Sequence, residues 1–124
     1  SVNYLVRTND AANFTATSIY ESLVNHGMSE EDRGKKKQLK TVSVAKTSTT
    51  GQLVLKYRVD SQSSSDWVTI CTLSSGGKLN RKEGKEATGL PFNAGYEYQF
   101  RVESTSGAEL VEVKYEYDVY KELI

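Results

Sequence analysis

His26 is the only imidazole in the chain and Cys71 the only thiol. Nucleophilic and general-base catalysis most often use one of these groups. His26 stands in Val24-Asn25-His26-Gly27, with no Ser, Cys or Asp at a familiar motif spacing, and reads as a surface-loop histidine. Cys71 lies inside the β-prone run Trp67-Val68-Thr69-Ile70-Cys71-Thr72-Leu73 and reads as a buried small hydrophobe. One His and one Cys exclude a disulfide framework and a multi-Cys/His zinc site. Paired carboxylates serve glycoside hydrolysis or bind calcium. Glu112, Glu116 and Asp118 share one strand face, but Lys114 sits among them, so a solvated face that blocks edge pairing accounts for them better. No Gly-rich phosphate loop follows a strand and opens a helix. The residues thus offer no catalytic set, no metal ligands and no cofactor site, and the expectation is a protein that is not an enzyme.

Groups suited to binding are more numerous. Lys35-Lys36-Lys37 follows Glu30-Glu31-Asp32, and Lys78, Arg81 and Lys82 stand in the Gly-rich stretch Ser74 to Gly89. Asn25 to Gln38 and Ser74 to Gly89 exceed the usual connection of roughly 4–6 residues, which favours a binding or docking role or disorder. Lys35, Lys36, Lys37, Lys78, Arg81 and Lys82 are the expected docking residues; the bland alternative is a solvated surface, since acidic neighbours screen the lysine run. Trp67 serves either as a core aromatic or as a sugar-stacking platform, and its strand context favours the core. Asn13-Phe14-Thr15 is formally a glycosylation triplet, which carries little weight because the opening residues lack the charged-then-apolar pattern of a secretory signal.

The elements that must hold these groups are strands. Leu53, Leu55, Tyr57 and Val59 alternate with Lys56 and Arg58, and Tyr96, Tyr98, Phe100 and Val102 alternate with polar residues. Val111, Val113, Tyr115, Tyr117 and Val119 repeat the pattern against Glu112, Lys114, Glu116 and Asp118. A period of two puts each set on one face of a strand; a helix, with period 3.6, scatters it. Lys40 to Ala45, Trp67 to Leu73 and Ser18 to Val24 are weaker strands, and Val2 to Val6 is a strand or part of an arm over residues 1–13. Ser48-Thr49-Thr50-Gly51 reads as a hairpin turn, and Ser29 with Asp32 as the start of one short helical turn.

Short strands between Gly/Ser turns make one antiparallel β-sandwich of all-β class, jelly-roll-like, with an immunoglobulin or fibronectin topology as the alternative. The strand around Ile19 to Val24 is expected beside the last, Leu110 to Tyr120. The expected core is Leu53, Leu55, Tyr57, Val59, Trp67, Tyr98, Phe100, Val102, Val113 and Tyr115.

A chain of 124 residues is one domain's worth, with a core of real size. Sixteen basic residues balance sixteen acidic ones, which argues against a nucleic-acid partner. No apolar run reaches the roughly 18 residues of a membrane span. The chain opens on Ser1, which fits removal of an initiator or a segment of something longer.

One resemblance adds to these readings. Ile19-Tyr20-Glu21-Ser22-Leu23 leads to Lys36-Lys37-Gln38-Leu39-Lys40-Thr41-Val42-Ser43-Val44, then to Gly51-Gln52-Leu53-Val54-Leu55-Lys56-Tyr57-Arg58-Val59-Asp60. Trp67-Val68-Thr69-Ile70, Leu90-Pro91-Phe92, Gly95 to Ser104 and Gly107-Ala108-Glu109 complete the series. This order of phrases resembles C-terminal β-sandwich modules of virion structural proteins from tailed bacteriophages. The resemblance implies a non-enzymatic structural or assembly module of the virion, of its tail, assembled in the host cytoplasm and oligomeric in the particle. Its implied partners are other virion proteins. The alternative is a carbohydrate-binding or host-adhesion module whose partner is a host-surface glycan, with exposure of Trp67 and Tyr96 as the discriminating observation.

Overall fold

The computed structural model describes the backbone of residues 2–13, 17–46, 49–105 and 109–120, and the side chains of 19–46, 49–105 and 112–120. Among these residues the order is β1 (Val2–Asn13), β2 (Thr17–Glu21), α1 (Glu30–Arg33), β3 (Lys37–Lys46), β4 (Gln52–Val59), β5 (Val68–Leu73), β6 (Leu79–Glu83), β7 (Ala94–Gly95), β8 (Tyr98–Thr105) and β9 (Glu109–Val119), with a 3-10 turn over Ser64–Asp66. All pairings are antiparallel. One sheet runs β1-β9-β3-β6, with the two-residue β7 also on β3; the other runs β2-β8-β4-β5.

With the short β7 set aside, the first strand pairs the last and the second pairs the last but one, in opposite sheets. The third pairs the last and the sixth. A long antiparallel ribbon rolled over a common core gives this order, and it is the jelly roll. It is not the immunoglobulin order. No helix among the described residues is long and apolar enough to cross a membrane.

This wrapping decides one expectation about the chain's start and corrects another. Of the two readings of the start, strand or arm, Val2–Asn13 is the strand: β1 pairs with β9, Val2 opposite Glu116 and Asn13 opposite Glu109. The strand near Ile19 does not lie beside the last one. It pairs with β8, Tyr20 opposite Val102, because the chain crosses between sheets after β1. Strand β9 is therefore flanked by β1 and β3, so its carboxylates guard no edge. They are met instead by cations: Lys114 lies 3.8 Å from Glu112, Arg81 3.9 Å from Glu116 and Lys40 3.7 Å from Asp118. The triplet Asn13-Phe14-Thr15 lies outside the described side chains.

The core fills the space between the sheets. Leu53, Leu55, Tyr57, Tyr98, Phe100, Val102, Val113 and Tyr115 are buried as expected, and Val59 packs half-buried against them. Met28, Leu39, Val42, Val44, Ile70, Cys71, Leu73 and Phe92 join them. Two β-bulges explain the strands whose pattern is least regular. Lys40 is the extra residue between Leu39 (opposite Tyr117) and Thr41 (opposite Glu116), so the inward set switches from Lys37 and Leu39 to Val42, Val44 and Lys46. Ile70 is the extra residue between Thr69 and Cys71, which is why two consecutive residues of β5 are buried. Burial pushes the Cys71 thiol up to about 11, the behaviour of an inert core cysteine.

Trp67 is corrected out of the core. It follows the 3-10 turn, half-buried on the outer face of the second sheet, with the Arg58 guanidinium carbon 4.3 Å from its ring centroid. Arg58 is fixed there by bonds to Gln99 Oε1 at 2.7 and 3.0 Å and to Ser63 O at 2.9 Å.

Candidate functional site

The segment Asn25 to Gln38 is a hydrogen-bonded plug at one end of the sandwich. Ser29 accepts from Asp32 N and starts α1, and Gly34 ends it. Asn25 takes the left-handed conformation at φ 53°, which asparagine tolerates. Its Oδ1 accepts from Tyr98 N at 2.9 Å, and its Nδ2 donates to Arg33 O at 3.2 Å and Tyr96 O at 3.1 Å. Met28 is buried beneath. The Tyr115 hydroxyl donates to His26 O, and the Tyr117 hydroxyl to Asp32 Oδ2 at 2.5 Å. That last bond, foremost, holds the Asp32 carboxyl below its ordinary range.

Lys37 completes the plug and is corrected from docking residue to interior one. It is 0% exposed. Its Nζ lies 3.1 Å from Asp32 O, 3.2 Å from Arg33 O, 2.8 Å from Lys35 O and 2.7 Å from Tyr96 O. A helix leaves its last carbonyls without backbone partners, and an ammonium answers both their lone pairs and their partial charge. Burial pushes the Lys37 ammonium below its ordinary pKa. At the far end of β3 the buried Lys46 does the same for the β3–β4 turn, donating to Gly51 O at 2.6 Å and Thr50 O at 3.1 Å.

The other expected docking residues fall into two separate groups. Lys35, 3.4 Å from Glu31, and the exposed Lys36 sit on the plug. Lys78 O accepts from Lys46 N, which puts Lys78 at the opposite end of β3, about 30 Å away at roughly 3.3 Å per residue. Arg81 and Lys82 are corrected from loop to strand: they belong to β6, where Arg81 meets Glu83 at 3.1 Å and Lys82 is half-buried. These residues therefore do not form one surface.

A third feature went unseen in the sequence. Strand β6 stops at Glu83, opposite Thr41, and β7 begins at Ala94, opposite Gln38. The chain between them leaves the sheet, turns back where Lys85 bridges Pro91, and buries Glu86 beneath Tyr57. An open groove of about 520 Å³ remains along β3, lined by Gln38, Leu39, Lys40, Thr41, Glu83 and Pro91. At its head stand Tyr96, Lys36 and Tyr120. Tyr120 N donates to Lys36 O at 2.9 Å, and Lys36 Nζ sits 5.1 Å from the Tyr120 ring centroid. On the other side of β3, Gly95 faces Lys37, so Tyr96 is the next residue along. A Cβ on Gly95 would overlap Val59 and crowd Asp60, so glycine alone fits and Tyr96 turns outward. Tyr96 is 51% exposed and Tyr120 46%.

Parity along β9 points to Tyr120, since an inward Val119 leaves its successor outward. Tyr96 shares parity with the inward Tyr98, and its placement is corrected by the structure. The Asp60 carboxylate takes both Tyr96 N, at 3.1 Å, and Glu97 N, at 2.7 Å, and bends the chain there.

Two consequences of this interior are measurable. The Tyr57 hydroxyl donates to the buried Glu86 carboxylate and accepts from Asn93 N at 2.9 Å. Tyr57→Phe strands both partners and is expected to cost about 2 kcal/mol in denaturant unfolding; a change below about 0.5 kcal/mol would contradict the pairing. The second consequence is alkaline unfolding. Burial raises the phenols of Tyr98 and Tyr117 to about 12, and those of Tyr57 and Tyr115 in the same direction. A raised folded-state pKa gives stability that is full below the unfolded value of about 10 and lost as pH climbs through the folded one. Lys37 and Lys46, pushed down by burial, act in the opposite sense, and four phenols outweigh two ammonium groups. Between about pH 10 and 12, phenolate absorbance from these four should rise together with loss of β-sheet ellipticity. Full ionisation with the fold intact would contradict their burial.

No family model matches the chain, and no curated protein matches it.

Proposed function

We propose that the chain is a non-enzymatic structural module of a tailed-bacteriophage virion, of its tail, acting through contacts with other virion proteins. The observation that carries this reading is the ordered series of phrases from Ile19 to Glu109 that resembles such modules. The jelly roll is compatible with it, since virion coats use that architecture. So do lectins, and a fold alone never selects a function. Exposed apolar residues on and after the edge strand β2, Ile19 and Leu23, suit a subunit contact. The charged plug beside them suits steering and specificity.

The purified chain, added to extracts of infected cells at low salt, should co-sediment with tails or virions. Lys35→Glu with Lys36→Glu should cost no more than about 1 kcal/mol, because Lys36 is exposed and Lys35 makes only a solvent-accessible pair with Glu31. The same pair should weaken co-sedimentation, and salt should shrink the difference from the parent. A chain that stays in the supernatant at every salt concentration would overturn the proposal.

A further inference from the structure

Tyr96, Lys36 and Tyr120 form a row across the end of the first sheet that the virion reading does not use. Both tyrosine rings are solvent-exposed, although most aromatic side chains of this protein are buried or packed against the core. They flank β3, so their backbones lie two strand spacings apart, about 10 Å. Gln38, two residues along from Lys36 on the same side of β3, belongs to the lining of the groove. The row crosses the end of β3 and the groove runs along it, so the two meet at a corner beside Gln38.

We infer that this row binds a neutral β-1,4-linked oligosaccharide laid across the end of β3, with Tyr96 and Tyr120 stacking on alternate sugars. A pyranose ring has an apolar face and a rim of hydroxyls. Aromatic platforms with polar neighbours answer both, and a separation of two strand spacings matches a disaccharide repeat. Beside the row, Pro91 supplies apolar contact and Gln38 and Lys40 supply polar groups. An apolar protein partner fits less well, because Lys36 divides the two rings. An acidic glycan fits less well too: Asp60, Glu97 and Asp118 lie beside the row, and Lys40 already meets Asp118 at 3.7 Å. Trp67, the aromatic that the sequence offers as a platform, lies on the outer face of the other sheet with Arg58 and Arg101 at 4.3 and 5.7 Å from its ring centroid, and takes no part in this row.

The inference stands apart from the virion proposal, and its test uses the purified chain alone. Cellohexaose and chitohexaose are titrated while amide shifts are followed by NMR. At least one should bind saturably, with shifts centred on 36–41, 94–97 and 118–120. Tyr96→Ala and Tyr120→Ala should each weaken binding about tenfold, the loss of one stacked ring, with unchanged melting. Phenylalanine at either position keeps the ring and should keep most of the affinity. Binding by neither hexasaccharide overturns the inference, and so does binding that both alanine variants leave unchanged. If neither sugar binds but Tyr96→Ala abolishes co-sedimentation with virions, the row is a protein contact and the inference is likewise overturned.

Discussion

Lys37→Glu should unfold the protein under conditions in which Lys36→Glu, one residue away, changes almost nothing. Lys37 is fully buried and its ammonium is ringed by four carbonyl oxygens from α1, the turn after it and the chain beside β7. A carboxylate in that place is itself unpaired and faces the same four oxygens. Removing one partner from a buried charged contact costs about 3–5 kcal/mol; Asp32 O keeps Lys35 N, and Arg33 O and Tyr96 O keep Asn25 Nδ2, while Lys35 O loses its ammonium donor and adds about 1–3 kcal/mol. A domain is stable by only about 5–15 kcal/mol in total. The reversal therefore consumes most or all of the stability. Lys37→Met separates charge from packing, since the methylene stem survives and only the donors go. It should fold, with a loss of about 2–4 kcal/mol in a urea titration. Lys37→Met melting with the parent would show that the plug is not held by this ammonium.

Phe100→Ala should cost about 3–5 kcal/mol, the usual range for deleting a buried aromatic. Phe100 is 1% exposed and lies on β8 in the second sheet. Its ring sits 5.0 Å from that of Tyr115, on β9 in the first sheet. The contact thus spans the two layers, and truncation opens a cavity that neither sheet can close alone. The neighbouring Arg101 points outward, partly covered, to Glu21 at 2.9 Å and Glu103 at 2.8 Å, and such solvent-accessible ion pairs contribute about 1 kcal/mol. Arg101→Ala is accordingly the control. A one-residue slip of β8 would exchange the two results, because it turns every side chain to the other face. Equal, small losses would contradict the register.

The contrast between these residues shows which parts of the fold a sequence can disclose. Strands β4 and β8, and β9 from Glu112 on, carry their core residues at every second position, and those inward residues follow from parity alone. Parity fails at Lys40 and Ile70, where one extra residue shifts the count and the chain gives no local sign of it. Lys37 is hidden for a different reason. It stands in a run of three lysines, and composition treats all three as solvated. Only the return of Tyr96 O and the end of α1 to the same point makes the third an interior group. The paired strands β1 and β9 are far apart in the sequence, so no local pattern ties them. The groove was illegible too, since it arises where two strands stop short on the same edge of β3. Cys71 and the Ser29–Asp32 helical turn were legible because burial pattern and capping chemistry are local.

Mass spectrometry of density-purified virions tests the central claim most directly. A structural module should yield peptides of this chain in the particle, at a copy number constant between preparations and resistant to salt washing. Peptides abundant in the infected-cell lysate but absent from washed particles would contradict a virion role.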